Sequence, residues 1–331
     1  MMSSLIKRIK KDQPQTEIIT YNVFHELSNY HLTVNKLMLS KKLMKRIRRK
    51  REPVLLFMAP ARILNTAIRS CIVSFYARGQ LVVVLTMHIS DIGVLPKLLM
   101  KLSKAKLIVT SDEMCKDYSK AFHNEVYYIK AGVETRRFVP VDRPRKMELR
   151  RKYGIAEDAA VILHVGHMKE GRNIRRLLDL DDKFHILLVT STYEQEKRDL
   201  HLRESLMQKN NITLIEDFVP AIEELYQMAD VYFFPVVDEK HCISVPLSVL
   251  EAASCNLRIV CTEFGELKRL KGKDGFFHID SFEPQRLSEL VHQALQSRAN
   301  TRAHVMGYDW SNAVKKVIQI VEESDPEGER I

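Results

Sequence analysis

A segment in the middle of the chain has the spacing of a phosphate-binding loop. Gly166 directly follows the predicted strand Ala160–Val165, and Gly171 comes after a gap of four residues. A P-loop continues with a lysine and then a serine or threonine, whose hydroxyl holds Mg²⁺. Arg172 and Asn173 occupy those positions here, so the sequence disfavours a nucleoside triphosphatase. A loop that follows a strand and carries a cation still predicts a phosphate site.

A histidine follows a buried strand in the first half of the chain. The apolar run Leu81–Thr86 predicts the strand, and His88 comes two residues after it. Open α/β sheets bind ligands at the carboxyl ends of their strands, so His88 is a candidate active-site residue. Asp91 is a weaker candidate beside it. The alternative for His88 is a structural histidine that is satisfied by a hydrogen bond inside the protein.

The histidines and cysteines lack the spacing of metal ligands. His25, Glu26 and His31 come nearest to a zinc motif, but the second histidine is six residues after the first, so the two fall on different helix faces. The cysteines form no C-x-x-C pair and are odd in number, which predicts buried thiols in a reducing compartment, the cytosol. They are Cys71, Cys115, Cys242, Cys255 and Cys261. We therefore expect no metal site.

Composition excludes several protein classes. The chain has 331 residues, of which 45% are hydrophobic and 28% charged, as expected for one large or two medium globular domains. No two glycines stand in a G-x-G arrangement, so the dinucleotide fingerprint of dehydrogenases is absent. No run reaches about 18 apolar residues, so we expect no membrane-spanning helix. Met1–Lys11 lacks the apolar core of a secretory signal.

Positive charge is concentrated in the first half of the chain. Residues 1–150 carry 29 Lys and Arg against 12 Asp and Glu, whereas residues 151–331 carry 23 against 30. The strongest run is Lys36–Arg51, with nine basic residues and no acidic one. Such asymmetry predicts that one part of the chain meets an anionic surface.

An apolar stripe runs through this basic segment. Leu39, Leu43 and Ile47 recur at every fourth position, with Met44 alongside, which predicts a helix with a narrow apolar face. The stripe either packs on the protein's own core or lies in the headgroup layer of an anionic membrane. The cations that would contact such a membrane or an acceptor are Lys41, Lys42, Lys45 and Arg46. No aromatic residue interrupts the run to stack on a base, so nucleic acid is disfavoured as a partner.

Short apolar runs alternate with helical stretches along the whole chain, which predicts parallel sheets covered by helices. The helices include Ile63–Arg78 and Asp112–Phe122, the second with Thr110 and Glu113 at capping-box spacing. The charged, proline-containing segment Val139–Arg151 is interpreted as the join between two α/β units. The predicted strands are Glu17–Tyr21, Pro53–Met58, Leu81–Thr86, Leu107–Thr110, Val126–Ile129, Ala160–Val165, His185–Val189, Ile212–Ile215, Val231–Phe234 and Arg258–Cys261.

Four segments together resemble a known family. They are Tyr128–Pro140 (YIKAGVETRRFVP), Val165–Asn173 (VGHMKEGRN), Ala229–Pro235 (ADVYFFP) and Val245–Ala253 (VPLSVLEAA). In order and spacing they are similar to the interdomain segment, the glycine loop and the "A-D-V … L-E-A-M-A" signature of family 4 retaining glycosyltransferases. The resemblance implies an α/β fold of GT-B type, with two doubly wound Rossmann-like domains facing a central cleft. It implies domains at 1–142, 143–308 and a last helix within 309–331, around Trp310–Val321, that returns to the first.

The resemblance also implies the roles of individual residues. A nucleotide-sugar is the co-substrate, with no cofactor and no obligatory metal, and its diphosphate meets the first N–H groups of the helix that runs through Glu251. Glu251 would bind the ribose, Arg172 the phosphates, and His88 would face the donor sugar; these three are the predicted catalytic residues. The full donor-binding set is Gly166, His167, Arg172, Pro246, Leu247, Ser248 and Glu251, with Phe218, Val219 and Pro220 at the base.

The sequence departs from the family at three points. Ile243 stands where the family has a glutamate that contacts the donor sugar, and Asp238, Glu239 or His241 would have to approach that sugar instead. His167 replaces the loop arginine, which weakens the fixed positive charge when the imidazole is neutral. The chain opens on what resembles the first helix, so the strand and glycine-rich loop that usually precede it are expected to be missing.

These observations predict a cytoplasmic, metal-independent retaining glycosyltransferase at the inner face of a membrane. It would transfer a sugar from a UDP- or GDP-sugar to a glycan or lipid-linked acceptor in cell-surface polysaccharide or glycolipid synthesis. Two alternatives remain open, namely an inactive glycosyltransferase-like binding subunit and a sugar-nucleotide epimerase on the same fold.

Overall fold

The chain forms two compact units in a computed structural model. Unit 1 comprises Met1–Gly132 and Trp310–Ile331, and unit 2 comprises Val133–Asp309. The structure describes residues 2–16, 40–57, 63–80, 82–86, 92–130, 132–168, 170–190, 199–237 and 242–322.

Strands and helices alternate through both units. The strands of the described residues are β1 (Val54–Phe57), β2 (Val82–Thr86), β3 (Lys106–Val109), β4 (Val126–Tyr128), β5 (Val161–Val165), β6 (His185–Val189), β7 (Ile212–Ile215), β8 (Val231–Phe234), β9 (Arg258–Cys261) and β10 (Phe276–His278). The helices are α1 (Met2–Asp12), α2 (Lys41–Lys50), α3 (Ile63–Ala77), α4 (Val94–Ser103), α5 (Asp112–Ala121), α6 (Arg143–Lys152), α7 (Leu200–Met207), α8 (Ile222–Met228), α9 (Leu247–Ser254), α10 (Pro284–Gln296), α11 (Thr301–Val305) and α12 (Trp310–Glu322).

Unit 1 is built on a parallel sheet whose described strands run in the order β1-β2-β3-β4. Successive residues of β2 point to opposite faces, and both faces are covered, as is usual for parallel sheets. Val82 and Val84 pack with Met44 of α2 and with residues of α3, α4 and α5. Val83 and Leu85 pack with α12 on the other face, so the last helix of the chain completes the core of the first unit.

A glycine allows α12 to begin close against the chain of unit 1. A Cβ atom on Gly132 would lie 2.2 Å from Cδ2 of Trp310, whose ring is buried beside Ile129. The indole therefore occupies the space that any other side chain at position 132 would need.

Unit 2 has a six-stranded parallel sheet in the order β10-β9-β8-β5-β6-β7. The chain runs outward from β5 through β6 to β7, and then returns to β8 and runs outward the other way. The strand order therefore reverses between β5 and β8, which is the point where open α/β sheets bind ligands at their carboxyl edge. One face of this sheet packs through Ile162 and Phe233 on Leu287 and Val291 of α10.

The aspartate of the A-D-V segment has a structural role. One carboxylate oxygen of Asp230 accepts hydrogen bonds from Arg150 at 2.6 Å and from the N–H of Val161 at 2.8 Å. The other accepts from Lys146 at 2.6 Å. Asp230 thereby attaches α6 to the amino end of β5, and its charge compensates two cations that are largely removed from water.

The strand predictions are confirmed wherever the structure describes them, with bounds shifted by at most one residue. Glu17–Tyr21 lies outside the described residues. The three-residue strand β10 was not predicted, because it is too short to give an apolar alternation. The helix predicted after Thr110 is capped by Ser111 instead, whose side chain accepts from the N–H of Met114 at 3.1 Å.

The segment predicted as the join, Val139–Arg151, contains a helix. The units divide after Gly132, before the predicted boundary at residue 142, and Val139–Arg151 lies inside unit 2. Most of that segment is α6, capped by Asp142, which accepts a hydrogen bond from the N–H of Arg145 at 3.0 Å. An aspartate followed by a proline in the first turn is a helix start, and that local signal outweighs the linker-like composition.

Candidate functional site

The loops of the predicted donor site all follow strands of the unit 2 sheet at its carboxyl edge. The Gly166 loop follows β5, the segment that precedes α9 follows the neighbouring β8, and Phe218–Pro220 follows β7. β5 and β8 are adjacent in the sheet, so the loop and the start of α9 come together at the switch point. This is the arrangement on which a shared diphosphate site depends.

A buried tyrosine hydroxyl lies between these two elements. The hydroxyl of Tyr232 donates to the carbonyl of Val165 at 3.1 Å and accepts from its N–H at 3.3 Å. Burial raises the pKa of Tyr232, so it stays neutral, and the side chain of Ser248, in the first turn of α9, is near enough to act on that pKa in the opposite direction. Tyr232 is thus bonded to the end of β5 and lies beside the start of α9.

Arg172 lies over Gly166. Its Nη1 is 2.9 Å from the position that a Cβ on Gly166 would take, so the glycine lets the guanidinium approach the backbone at the end of β5. Burial lowers the pKa of His164 and raises the pKa values of Tyr232 and Cys242. The charge of Arg172 is close enough to act on all three groups, and it lowers each pKa. The cation therefore sits among β5, β8 and the segment before α9.

The residue after Arg172 strengthens the same connection. Asn173 adopts the left-handed conformation, with φ of 57°, which asparagine tolerates better than most residues. Its side-chain amide donates to the carbonyl of Pro235, directly after β8, at 3.2 Å. The position where a P-loop would carry a magnesium-holding hydroxyl therefore serves to tie two loops together.

His164 is a buried histidine in β5, two residues before Gly166. Its Nδ1 lies 2.8 Å from the carbonyl oxygen of Phe233, and because a carbonyl only accepts, Nδ1 carries the proton. Burial, with a further contribution from Arg172, lowers the pKa of His164 to about 4, so the imidazole is neutral near pH 7. Its Nε2 has no hydrogen-bond partner among the described residues and lies 3.0 Å from the Cβ position of Gly166.

The amino end of α9 presents backbone donors. Pro246 is the N-cap and provides no side-chain cap, so the first N–H groups of the helix, at Leu247 and Ser248, have no intrahelical acceptor. The approach to this end is fixed by Gly265. A Cβ there would lie 2.2 Å from the carbonyl oxygen of Ser244, and φ is +48°. The N–H of Glu266 donates to that same oxygen at 2.8 Å.

Glu251 lies in the second turn of α9 and is partly buried. One carboxylate oxygen accepts a hydrogen bond from the hydroxyl of Tyr226, on α8, at 2.8 Å. Burial raises the pKa of Glu251 to about 7, although the Tyr226 hydrogen bond acts in the opposite direction. A carboxylate with one oxygen so engaged retains acceptor capacity for hydroxyl groups of a ligand.

The predicted base-binding loop is exposed. The side chain of Phe218 is 86% exposed. The carbonyl of Pro220 accepts a hydrogen bond from Arg137 at 2.9 Å, and Arg137 also pairs with Glu223 of α8. The loop is therefore anchored at one end while Phe218 remains available to a ligand.

Several predicted residues cannot be located. His88, Asp91, Asp238, Glu239 and His241 lie outside the described residues. His167 and Ile243 are described and partly buried. Within the described part of the chain, no three His, Cys, Asp or Glu side chains are grouped as metal ligands would be.

The basic segment forms α2, but its apolar stripe does not face solvent. Met44 is buried, and Leu43 and Ile47 pack with it on the core of unit 1. Of the two interpretations, packing on the protein's own core is therefore correct, and insertion of this stripe into a headgroup layer is wrong. Lys41, Lys42 and Lys45 are exposed and Arg46 is partly buried. No described helix is long and apolar enough to cross a bilayer.

Sequence reasoning missed three residues of the site. Tyr232 and His164 lie in buried strands, where they read as core residues, and Tyr226 lies on a helix face that packs inward. The sequence does contain a signal for two of them. A tyrosine and a histidine within otherwise apolar parallel strands need hydrogen-bond partners when they are buried.

Comparison with known proteins agrees with this geometry. Residues 159–297 match the family "Glycosyl transferases group 1". The chain is 27% identical, over 227 residues, to the D-inositol 3-phosphate glycosyltransferase of Geodermatophilus obscurus. The match covers 61% of this chain and 48% of that protein, so the chain spans about half the length of this curated relative.

Solved structures share the fold at low sequence identity. A glycosyltransferase from Rickettsia africae has a TM-score of 0.79 at 13% identity, with 97% of this chain and 93% of that one covered. Anabaena Alr3699/HepE, solved in complex with UDP-glucose, has a TM-score of 0.72 at 16% identity, with 97% and 95% covered. The predicted α/β fold of GT-B type is confirmed, as is the resemblance to glycosyltransferases.

Proposed function

Since residues 159–297 form a glycosyl transferases group 1 domain, we propose that this chain is a glycosyltransferase. It transfers a sugar from a nucleoside-diphosphate donor to a glycan or lipid-linked acceptor, in the synthesis of cell-surface polysaccharide or glycolipid. The anomeric configuration is retained, and neither a cofactor nor an obligatory metal is used.

One observation carries this proposal. The hydroxyl of Tyr232, on β8, hydrogen-bonds to the end of β5 and lies near Ser248 in the first turn of α9, and Arg172 lies over Gly166. A cation and a helix amino terminus that meet at a sheet switch point form a site for a compact anion of high charge. The diphosphate of a nucleotide-sugar is such an anion.

These groups stabilise the charge that develops as the donor breaks. The bond between the anomeric carbon and the phosphate oxygen cleaves, and the electron pair stays on the leaving diphosphate. The N–H groups of Leu247 and Ser248 and the guanidinium of Arg172 meet that charge in fixed positions. The acceptor oxygen bonds to the same face of the anomeric carbon, and its proton goes to the leaving phosphate oxygen.

The rest of the nucleotide extends from the diphosphate. In this proposal Glu251 accepts hydrogen bonds from the ribose hydroxyls, and Phe218–Pro220 contacts the base. Tyr226 supports this role because it occupies one oxygen of Glu251 and leaves the carboxylate further acceptor sites. His88 faces the donor sugar, and Gly166 and His167 line the phosphates.

The test has two parts. Calorimetry with UDP and GDP measures nucleotide binding, and a panel of nucleotide-sugars with glycan and lipid-linked acceptors measures release of nucleoside diphosphate. Arg172→Gln removes a charge-assisted hydrogen bond, so we expect the Kd for the diphosphate to rise about ten- to a hundredfold. Arg175→Gln is the matched control, because that arginine is exposed on the turn that follows Asn173.

The outcomes separate the alternatives. Nucleotide binding without turnover across the panel would identify an inactive binding subunit, which the apolar Ile243 favours. A change in the sugar without added acceptor would identify an epimerase. Absence of nucleotide binding would refute the proposal altogether.

We also propose that the protein acts in the cytoplasm as a peripheral protein at the inner face of the membrane. The support is the excess of positive charge in residues 1–150 and the exposed cations Lys41, Lys42 and Lys45 of α2. Juxtamembrane lysines and arginines each gain about 1 kcal/mol at an anionic surface. Nucleic acid is not a proposed partner.

A further inference from the structure

Helix α4 exposes an apolar stripe that the fold does not use. Val94 is 85% exposed, Leu95 53%, Leu98 52% and Leu102 62%. The opposite side of the helix is also apolar but faces inward: Pro96, Met100 and Ser103 are buried. A surface helix usually has one apolar face and one polar face, and α4 has apolar side chains on both.

The exposed side chains form one sector. At about 100° per residue, Val94, Leu98, Leu102 and Leu95 follow one another around about 100° of the helix. Several large apolar side chains grouped in this way mark an interaction surface, whereas single exposed leucines do not.

Positive charge borders the sector. Lys97 and Lys101 are exposed and lie next to Val94 around the helix, and Lys104 is exposed at the carboxyl end. Residues 92–106 contain no acidic residue. The nearest acids in sequence are Asp91, which directly precedes this segment, and Asp112, which pairs with Lys116 at 2.7 Å. Helix α4 itself therefore carries a net positive charge.

We infer that this surface, formed by Val94, Leu95, Leu98 and Leu102 with Lys97 and Lys101, docks the chain on an anionic lipid bilayer. The inference rests on the proposed membrane association and deepens it, because it assigns the apolar part of the contact to α4. The leucines enter the headgroup layer while the lysine ammonium groups stay among the lipid phosphates.

Charge complementarity favours a bilayer over a second copy of this chain. A two-fold symmetric contact through α4 would place each lysine row near its counterpart, and like charges in an interface are unfavourable. An anionic bilayer meets both properties of the surface at once.

The test is cosedimentation with vesicles of phosphatidylcholine, with and without phosphatidylglycerol. Lys97→Gln with Lys101→Gln should lower the partition coefficient on anionic vesicles about 30-fold, at about fivefold for each charge. Leu98→Gln with Leu102→Gln should lower it by about tenfold or more. Leu200→Gln on α7 is the matched control, because Leu200 is 63% exposed but belongs to unit 2, and it should leave binding unchanged.

Insertion is read out separately by fluorescence. The chain has a single tryptophan, Trp310, which is buried and gives a constant background. In the Leu98→Trp variant, the fluorescence emission should shift to the blue when anionic vesicles are added. The emission should stay unshifted with vesicles of phosphatidylcholine alone. An unshifted emission on vesicles that sediment the protein would overturn the inference.

Further outcomes would also overturn it and are distinguishable from failure of the function. Wild-type protein that fails to bind anionic vesicles refutes the membrane association itself. Binding that survives the α4 changes but is lost in Lys41→Gln with Lys42→Gln assigns the contact to α2 alone. If the protein forms a dimer and Leu98→Gln dissociates it, the face is a contact between copies of this chain. Nucleotide binding, measured on each variant, should stay unchanged and tests the transferase proposal independently.

Discussion

Glu251→Gln should make unit 2 more stable while weakening nucleotide binding. Burial raises the pKa of Glu251 from the ordinary 4.5 to about 7, so ionisation of this carboxyl opposes folding. Its contribution to stability is fully present below pH 4.5, where both states are protonated. Above pH 4.5 the unfolded chain releases a proton that the folded chain retains until about pH 7. The contribution is therefore lost as the pH rises through the folded pKa.

The magnitude follows from the two pKa values. Each pH unit between them costs about 1.4 kcal/mol, so the raised pKa of Glu251 destabilises the fold by about 3 kcal/mol at pH 8 and by about 1 kcal/mol at pH 5. Glutamine has no charge to desolvate and still accepts the Tyr226 hydrogen bond. The variant should therefore gain about 2 kcal/mol more at pH 8 than at pH 5.

Hydrogen exchange with mass spectrometry is the assay, because it resolves the two units. Peptides from β5 and β8 should show the gain, and peptides from β2 and β3 in unit 1 serve as an internal reference. Glu204→Gln, an exposed glutamate on α7, is the matched control and should change stability by less than about 0.5 kcal/mol. In the same variants, calorimetry should show a rise in the nucleotide Kd of about tenfold or more only for Glu251→Gln.

Two results would refute this reasoning. A stability change of the same size at pH 5 and pH 8 would show that carboxylate desolvation is not the cause. A stabilised variant with unchanged nucleotide affinity would show that Glu251 does not bind the ligand, and its burial would then have no functional explanation in this site.

Other variants test the fold around the site. Gly132→Ala places a Cβ 2.2 Å from the Trp310 ring and should cost about 3 kcal/mol, measured by urea unfolding followed by Trp310 fluorescence; an unchanged midpoint would contradict the packing. Gly265→Ala forces strain at φ of +48° and a clash with the Ser244 carbonyl, so the start of α9 should shift and the nucleotide Kd should rise about tenfold by calorimetry. Asp230→Asn leaves two largely buried cations without compensation and should cost about 3 kcal/mol by urea unfolding followed by circular dichroism; a loss below about 1 kcal/mol would contradict the structural role.

The strands could be predicted because their physics is local. A parallel strand covered on both faces must be apolar at nearly every position, so runs such as Val161–Val165 and Val231–Phe234 stand out from the sequence itself. The alternation of strands and helices along the chain predicts parallel sheets, but it does not predict the order of the strands within each sheet. The reversal between β5 and β8, which creates the site, depends on the direction in which each crossover runs.

The site could be predicted in part. Arg172, Ser248 and Glu251 were identified by resemblance, and the structure places Arg172 and Ser248 near enough to Tyr232 for both to oppose the rise in pKa that burial causes. Tyr232 itself was not identified, because its hydrogen-bond partner, Val165, is distant in sequence. Its role exists only once two parallel strands and a helix terminus are assembled.

The sequence was ambiguous where the same apolar helix pattern occurs in a buried helix face and in an exposed one. The stripe of α2 and the stripe of α4 are both apolar faces beside lysines. Met44 of α2 lies inside the core, whereas Leu98 of α4 lies outside it. Helical periodicity shows that a face is apolar, but it does not show which neighbour covers that face.

By itself, then, the sequence determined the α/β class, the strand positions and the residue types present at the candidate site, because burial and backbone propensity act over a few neighbouring residues. The tertiary structure alone decided that Arg172, Tyr232 and the start of α9 meet, that Glu251 is desolvated, and that α4 rather than α2 exposes its apolar stripe. Those properties depend on contacts between residues far apart in the chain, and burial, charge and access to solvent exist only after the chain has packed.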